Sequence, residues 1–260
     1  MNAWFALTKK EFRLGLPAFL FAVILYGGFL GLVYWMGSKI GFQDEIMMSG
    51  MIAVLIFHIP FIFFYMIFSL TSENTKLHLW LHNPMPISGL ILAKLVSGIV
   101  YAIMTFTVCL VAALLFQKNN YDLLNEHITF NITGVSTLWI FSTGIACAII
   151  FTFFWSIYLT LGQWMNNFFS FIITLILFFV LALVYDSFTQ LSFMQALTDW
   201  GTIEIEDIIG FEFMIADDAF EAGMRMDTTL LTLGHMVRDI ITTILLFIAA
   251  CWIIDKKVEV

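Results

Sequence analysis

The groups with which this chain could do chemistry are five histidines, three cysteines and nineteen carboxylates. His78 and His82 stand at i and i+4, the spacing that places two metal-ligating imidazoles on one helix face. No third ligand accompanies them, so the polar side of a surface helix is the plainer reading. His58 lies two residues before Pro60 inside a long apolar run. An ionisable group there is a candidate lining for a transmembrane pathway, with Pro60 as a kink, or else a neutral histidine bonded to a neighbouring helix. Glu204, Glu206, Asp207, Glu212, Asp217, Asp218 and Glu221 lack the fixed spacing of a calcium loop and read as a solvated face. Cys109, Cys147 and Cys251 sit far apart in apolar runs, as small packing residues do. The chain carries no GxxxxGK[ST], HExxH or GxSxG. It is therefore not expected to be an enzyme, to need a cofactor or to hold a metal, and any ATP is expected on a partner.

The elements that must position these groups are membrane helices. With 61% hydrophobic residues, 12% charged residues and a mean hydropathy of +0.97, the chain is too apolar for a soluble domain, which is about half apolar and a quarter charged. The expected class is an all-α integral membrane protein, one domain over 1–260 with six spans: Leu16–Met36, Ile46–Leu70, Leu90–Phe116, Leu138–Leu161, Phe168–Tyr185 and a last one ending at Ile254. That last span is expected to reach back towards Thr228 and to carry His235, Arg238 and Asp239 at one membrane face. Residues 1–15 are followed by an apolar stretch too long for a cleavable signal. Their Trp4, Phe5, Leu7 and Phe12 interleave with Lys9, Lys10, Glu11 and Arg13, as in an interfacial amphipathic helix. Trp35, Trp139, Trp164 and Trp252 fall near span ends, as an interfacial belt requires.

Orientation follows from charge. With the amino terminus inside, Lys9, Lys10, Arg13, Lys76, Lys94, Lys256 and Lys257 lie on the inner side, against Lys39, Lys118, Arg225 and Arg238 outside. This satisfies the positive-inside rule with both termini cytoplasmic. Of the acids only Glu11, Glu73, Asp255 and Glu259 fall inside.

Two polar interruptions stand out. Residues 71–94 separate the second and third spans. Thr71 or Ser72 is read as a helix cap with Glu73 in the first turn; Leu77, Trp80 and Leu81 then form a narrow apolar face. Pro84 and Pro86 end that helix, and a new apolar helix begins near Ser88. A short amphipathic helix between two spans, stopped by prolines, suits docking. The second interruption, 186–228, mixes Phe188, Leu191, Phe193, Leu197 and Trp200 with the acidic stretch. It is expected to form amphipathic or re-entrant helices at the outer leaflet.

Together these features resemble the permease of an ABC-2-type transporter, the membrane half of a bacterial ABC exporter. The likeness rests on four features: the basic amphipathic entry from Trp4 to Arg13, which is similar to the family's elbow helix; Glu73 and Leu81 followed by Pro84-Met85-Pro86-Ile87-Ser88 and Lys94; the six-span plan; and the long outer segment. The resemblance implies a coupling segment at 71–87, on which a partner ATPase docks through Glu73, Lys76, Leu77, His78, Trp80, Leu81 and Pro84. It also implies an elbow helix at 1–15, with Trp4, Lys9, Lys10, Phe12 and Arg13 against the same assembly. ATP and Mg are expected on two copies of the ATPase. A second permease subunit, membrane lipid and an amphipathic cargo (peptide, lipid-like compound or drug) complete the expected partners, with no nucleic acid. The expected location is the bacterial plasma membrane.

Two other classes fit fewer features. A sensory or scaffold membrane protein would bind a ligand on the acidic outer segment and recruit a cytoplasmic partner without transport. A membrane metal enzyme would use His58, or His78 with His82.

Overall fold

The computed structural model describes residues 3–41, 43–74, 85–119, 134–216 and 219–257, with side chains left undescribed at 203–231 and at a few positions near helix ends. In chain order the elements are α1 (Ala3–Ile40), α2 (Gln43–Ile56), α3 (His58–Asn74), α4 (Ile87–Asn119), α5 (Gly134–Gly162), α6 (Asn167–Thr189), α7 (Ser192–Thr198), β1 (Thr202–Ala216), β2 (Ala219–Thr232) and α8 (Leu233–Lys257).

Five helical segments are each long and apolar enough to cross a membrane: Trp4–Ile40, Ile87–Phe116, Thr137–Gly162, Asn167–Thr189 and Leu233–Lys257. A sixth crossing is available if Ile46–Ile56 and His58–Ser72, which meet at 45°, count as one broken span. The break falls at Phe57, one turn before Pro60. A proline ring collides with the carbonyl four residues earlier and supplies no N–H to it, so the disturbance from Pro60 lands at Ile56. These helices make the chain a multi-pass membrane protein.

The body packs α1, α3, α4, α5 and α8 around a core that includes Ile62, Met66, Leu70, Leu90, Ala102, Ala148 and Ile254. A second cluster, with Met48, Ile52, Leu55 and Phe106, seats α2 against α4. By contrast α6 exposes most of its apolar side chains, Phe169, Ile176, Phe179 and Leu183 among them. In a bilayer such a face costs nothing, because lipid tails are as apolar as leucine.

Residues 1–15 lead without a break into the first span: α1 is one helix of 38 residues with Pro17 inside it, roughly 57 Å long at about 1.5 Å per residue. That exceeds a hydrocarbon core of about 30 Å, so the helix projects past the membrane or tilts within it. Thr71 and Ser72 do not cap a new helix; they lie in the last turn of α3, where Ser72 Oγ donates to Ser69 O at 2.8 Å.

The outer segment is only partly helical. After α6 and the short α7, residues 202–232 form an antiparallel hairpin, Thr202 opposite Thr232, with an irregularity between Ile205 and Ile208. Strand start and helix end are separated by Gly201, whose φ of +68° lies in the left-handed region that favours glycine. The reason for strand rather than helix is legible in Ile203-Glu-Ile-Glu and Phe211-Glu-Phe: apolar and acidic residues alternate with period two, which a helix cannot sort onto two faces. The last span accordingly starts at Leu233 and not near Thr228.

Candidate buried-charge junction

The site begins with a charge that needs a partner. Lys94 stands two turns into α4, and its residue is fully buried. A lone ammonium there would be very costly, so it must be paired. The partner is Glu11 of α1. Lys94 Nζ lies 2.9 Å from Glu11 Oε2, both side chains 1% exposed, and also donates to Ser69 Oγ of α3 at 3.1 Å. One ammonium thus ties three helices together. Glu11 Oε1 is buried without a hydrogen-bond partner among the described residues, as is the Tyr65 hydroxyl.

Neighbouring contacts extend the seam in both directions. Trp4 Nε1 donates to Gly89 O at 3.2 Å, joining the first turn of α1 to the first turn of α4. Tyr101 Oη donates to Phe12 O at 2.6 Å, and the Phe12 ring meets Tyr101 edge-on at 5.4 Å. Between these points Tyr65 of α3 fills a slot that two glycines leave open. A Cβ at Gly15 would overlap its hydroxyl, and one at Gly98 would stand 2.7 Å from Cδ1. The amino-terminal part of α1 is therefore a packed component of the bundle. Lys9, Lys10 and Arg13 face outward, while Trp4 and Phe12 are half-buried against the core.

Higher in the bundle His58 opens α3, just after the break. It is 1% exposed. Its Nδ1 lies 2.8 Å from Val54 O, and its Nε2 lies 3.1 Å from Thr105 Oγ1 of α4. A carbonyl only accepts, so Nδ1 carries a proton and donates. The Thr105 hydroxyl is also within bonding distance of Tyr101 O and Ala102 O, at 3.0 and 3.1 Å, so its single proton is shared among these acceptors. Tyr26, Phe61 and Phe106 surround the ring, and Tyr26 Oη donates to Phe57 O at 3.3 Å, taking up a carbonyl at the break. This is the geometry of a histidine bonded to a neighbouring helix. Pro60 is half-buried beside it.

Of the docking candidates, Glu73 lies in the last turn of α3, whereas Lys76, Leu77, His78, Trp80, Leu81 and Pro84 lie outside the described residues. The described chain resumes at Met85 and enters α4 at Ile87, where Gly89 N and Leu90 N both bond to Pro86 O. In the chain, the end of α3 and the start of α4 flank that segment. Among the described residues no group of three or more His, Cys, Asp or Glu side chains could hold a metal ion.

The sequence places Glu11 among the charges of the amphipathic entry and leaves its partner unassigned. The signal was Lys94: a cation inside an apolar run demands an anion, and Glu11 is the one acid in the amino-terminal helix. No protein-family model, no curated protein and no solved structure matches the chain.

Proposed function

We propose that this chain is the membrane-spanning subunit of an ATP-driven exporter of the ABC-2 type. In this reading it moves an amphipathic cargo outward across a bacterial plasma membrane. Two copies of a separate ATPase subunit bind ATP and Mg and dock on the 72–81 segment, and a second permease copy or relative faces this one. The observation that supports the reading is the Glu11–Lys94–Ser69 junction, which joins α1 to α3 and α4, the two helices that flank that segment in the chain. Coupling between sites requires an element whose position both sites bias. A push on residues 75–86 reaches α4 at its first turn and, through Lys94 and Trp4, reaches α1 as well. The load is shared by two long helices, and a short docking helix becomes a lever on both.

The scarcity of charge in the body fits an amphipathic cargo better than a small ion. Among the described side chains the deeply buried acidic and basic groups are Glu11 and Lys94, which neutralise each other, and His58, whose nitrogens are both bonded.

Co-purification tests the proposal. The chain is expressed with the genes beside it and extracted in detergent. A soluble ATPase is retained by the wild type and lost when Leu77, Trp80 and Leu81 are changed together to Glu. Retention of no ATPase, or equal retention by the variant, overturns it.

A further inference from the structure

The opposite end of the bundle holds a preformed notch of about 300 Å³ between the last turns of α6, the short α7 and the first turns of α8. Its walls are apolar: Phe188, Leu197, Trp200, Val237 and Ile241. Its one charged lining group is Arg238. We propose that this notch is a binding site for one zwitterionic, amine-bearing phospholipid of the bilayer, its acyl chain in the notch, its phosphate on Arg238 and its ammonium on Asp239.

Four observations support the assignment. First, the notch is held open. Leu233 N bonds to Gly201 O at 3.0 Å and Gly234 N to Trp200 O at 3.3 Å, so the turn after α7 caps α8. His235 Nε2 lies 3.3 Å from Asp199 Oδ1 across the same joint. Second, the notch continues a lipid-facing surface: Leu183 and Val184 of α6 and Ile244 and Leu245 of α8 are all exposed.

Third, Arg238 has donors to spare. Its Nε and one terminal nitrogen each stand 3.0 Å from Asp239 Oδ1, and its guanidinium sits 5.8 Å from the centre of the Tyr185 ring. Those two bonds use two of the five N–H groups of a guanidinium, and no other described residue takes the rest. Fourth, the charges select the headgroup. Arg238 is neutralised by Asp239, whose Oδ1 also accepts from Tyr185 Oη at 3.2 Å. A purely anionic amphiphile would meet a carboxylate beside its only cation. A cationic one would meet the guanidinium at the mouth. A headgroup carrying both signs satisfies Arg238 through phosphate and Asp239 through its second oxygen. The exporter reading is not needed for any of this.

The test is native mass spectrometry of the full-length chain, delipidated in detergent and titrated with dioleoyl phosphatidylethanolamine, dioleoyl phosphatidylglycerol or dioleoylglycerol. Wild type is expected to retain one phosphatidylethanolamine at about tenfold lower concentration than dioleoylglycerol, the size of one good charge-assisted contact, and to rank it ahead of phosphatidylglycerol. Arg238→Gln removes the advantage over dioleoylglycerol. Asp239→Asn removes the advantage over phosphatidylglycerol. Thr242→Trp, which fills the notch and leaves the charges in place, lowers retention of all three, and helical circular dichroism checks that each variant is folded. Equal retention of the three lipids by wild type, a preference for phosphatidylglycerol, or unchanged retention by folded Thr242→Trp overturns the assignment.

Discussion

The two ends of the bundle each carry a polar side-chain pair between segments distant in the chain, and the pairs behave as opposites. At one end Glu11 and Lys94 meet at 2.9 Å with side chains 1% exposed; at the other Asp199 and His235 meet at 3.3 Å with side chains more than two-fifths exposed. Both the cationic partner, an ammonium against an imidazole charged only when protonated, and burial distinguish them. In a dry interior each charge has given up its hydration and depends on its partner, so the pair specifies which helices meet and in what register. An exposed pair keeps most of its water and is screened by salt. The first pair makes α1 part of the body. The second trims a joint that backbone hydrogen bonds already hold.

The largest expected effect is at the buried pair. Lys94→Met strands a buried carboxylate and should cost about 3–5 kcal/mol, read from denaturant unfolding in detergent. The double variant Glu11→Leu with Lys94→Met removes both charges and should recover most of that loss, since apolar replacement of a buried pair is often neutral or stabilising. A double variant as unstable as the single one would show that the pair is not the joint between α1 and α4.

Next comes the slot for Tyr65. Gly98→Ala places a Cβ 2.7 Å from Tyr65 Cδ1 and should cost about 1–3 kcal/mol by overpacking. Adding Tyr65→Leu should relieve it, and a thermal shift of the double variant back towards wild type is the readout. A smaller effect is expected at the break in the second span. Thr105→Val deletes the hydroxyl bonded to His58 Nε2 and should cost about 1 kcal/mol, measured in the same unfolding assay. Smallest of all, Asp199→Asn should change stability by no more than about 0.5 kcal/mol, and 1 M salt should erase the difference. A loss comparable to that of Lys94→Met would end the contrast between the two ends.

Much of the architecture was legible in local pattern. Apolar runs of the right length announced the spans, and Pro60 announced a kink in the second. The hairpin was legible too, in the period-two alternation of 203–213, but acidity and the neighbouring amphipathic residues drew attention to a helix instead. What local pattern could not reveal was partnership. His58 and Lys94 were both visible as polar groups in apolar runs, yet nothing in the order of residues says that Thr105 lies opposite one and Glu11 opposite the other. Glu11 looked like one charge among several on an amphipathic entry, where its basic neighbours are in fact exposed and it alone is buried.

The sequence by itself determined that this is a helical membrane protein, because hydrogen bonding within each helix and burial in lipid depend only on local composition and length. It also determined where the chain bends, since proline acts on its own helix. Only the tertiary structure decided that the first helix runs unbroken into the bundle and that Lys94 gathers α1, α3 and α4. It alone decided that α6, α7 and α8 enclose a notch beside Arg238. Those features depend on which helix faces which, and a desolvated charge or a glycine slot acquires its meaning only from the side chain that packing brings to it.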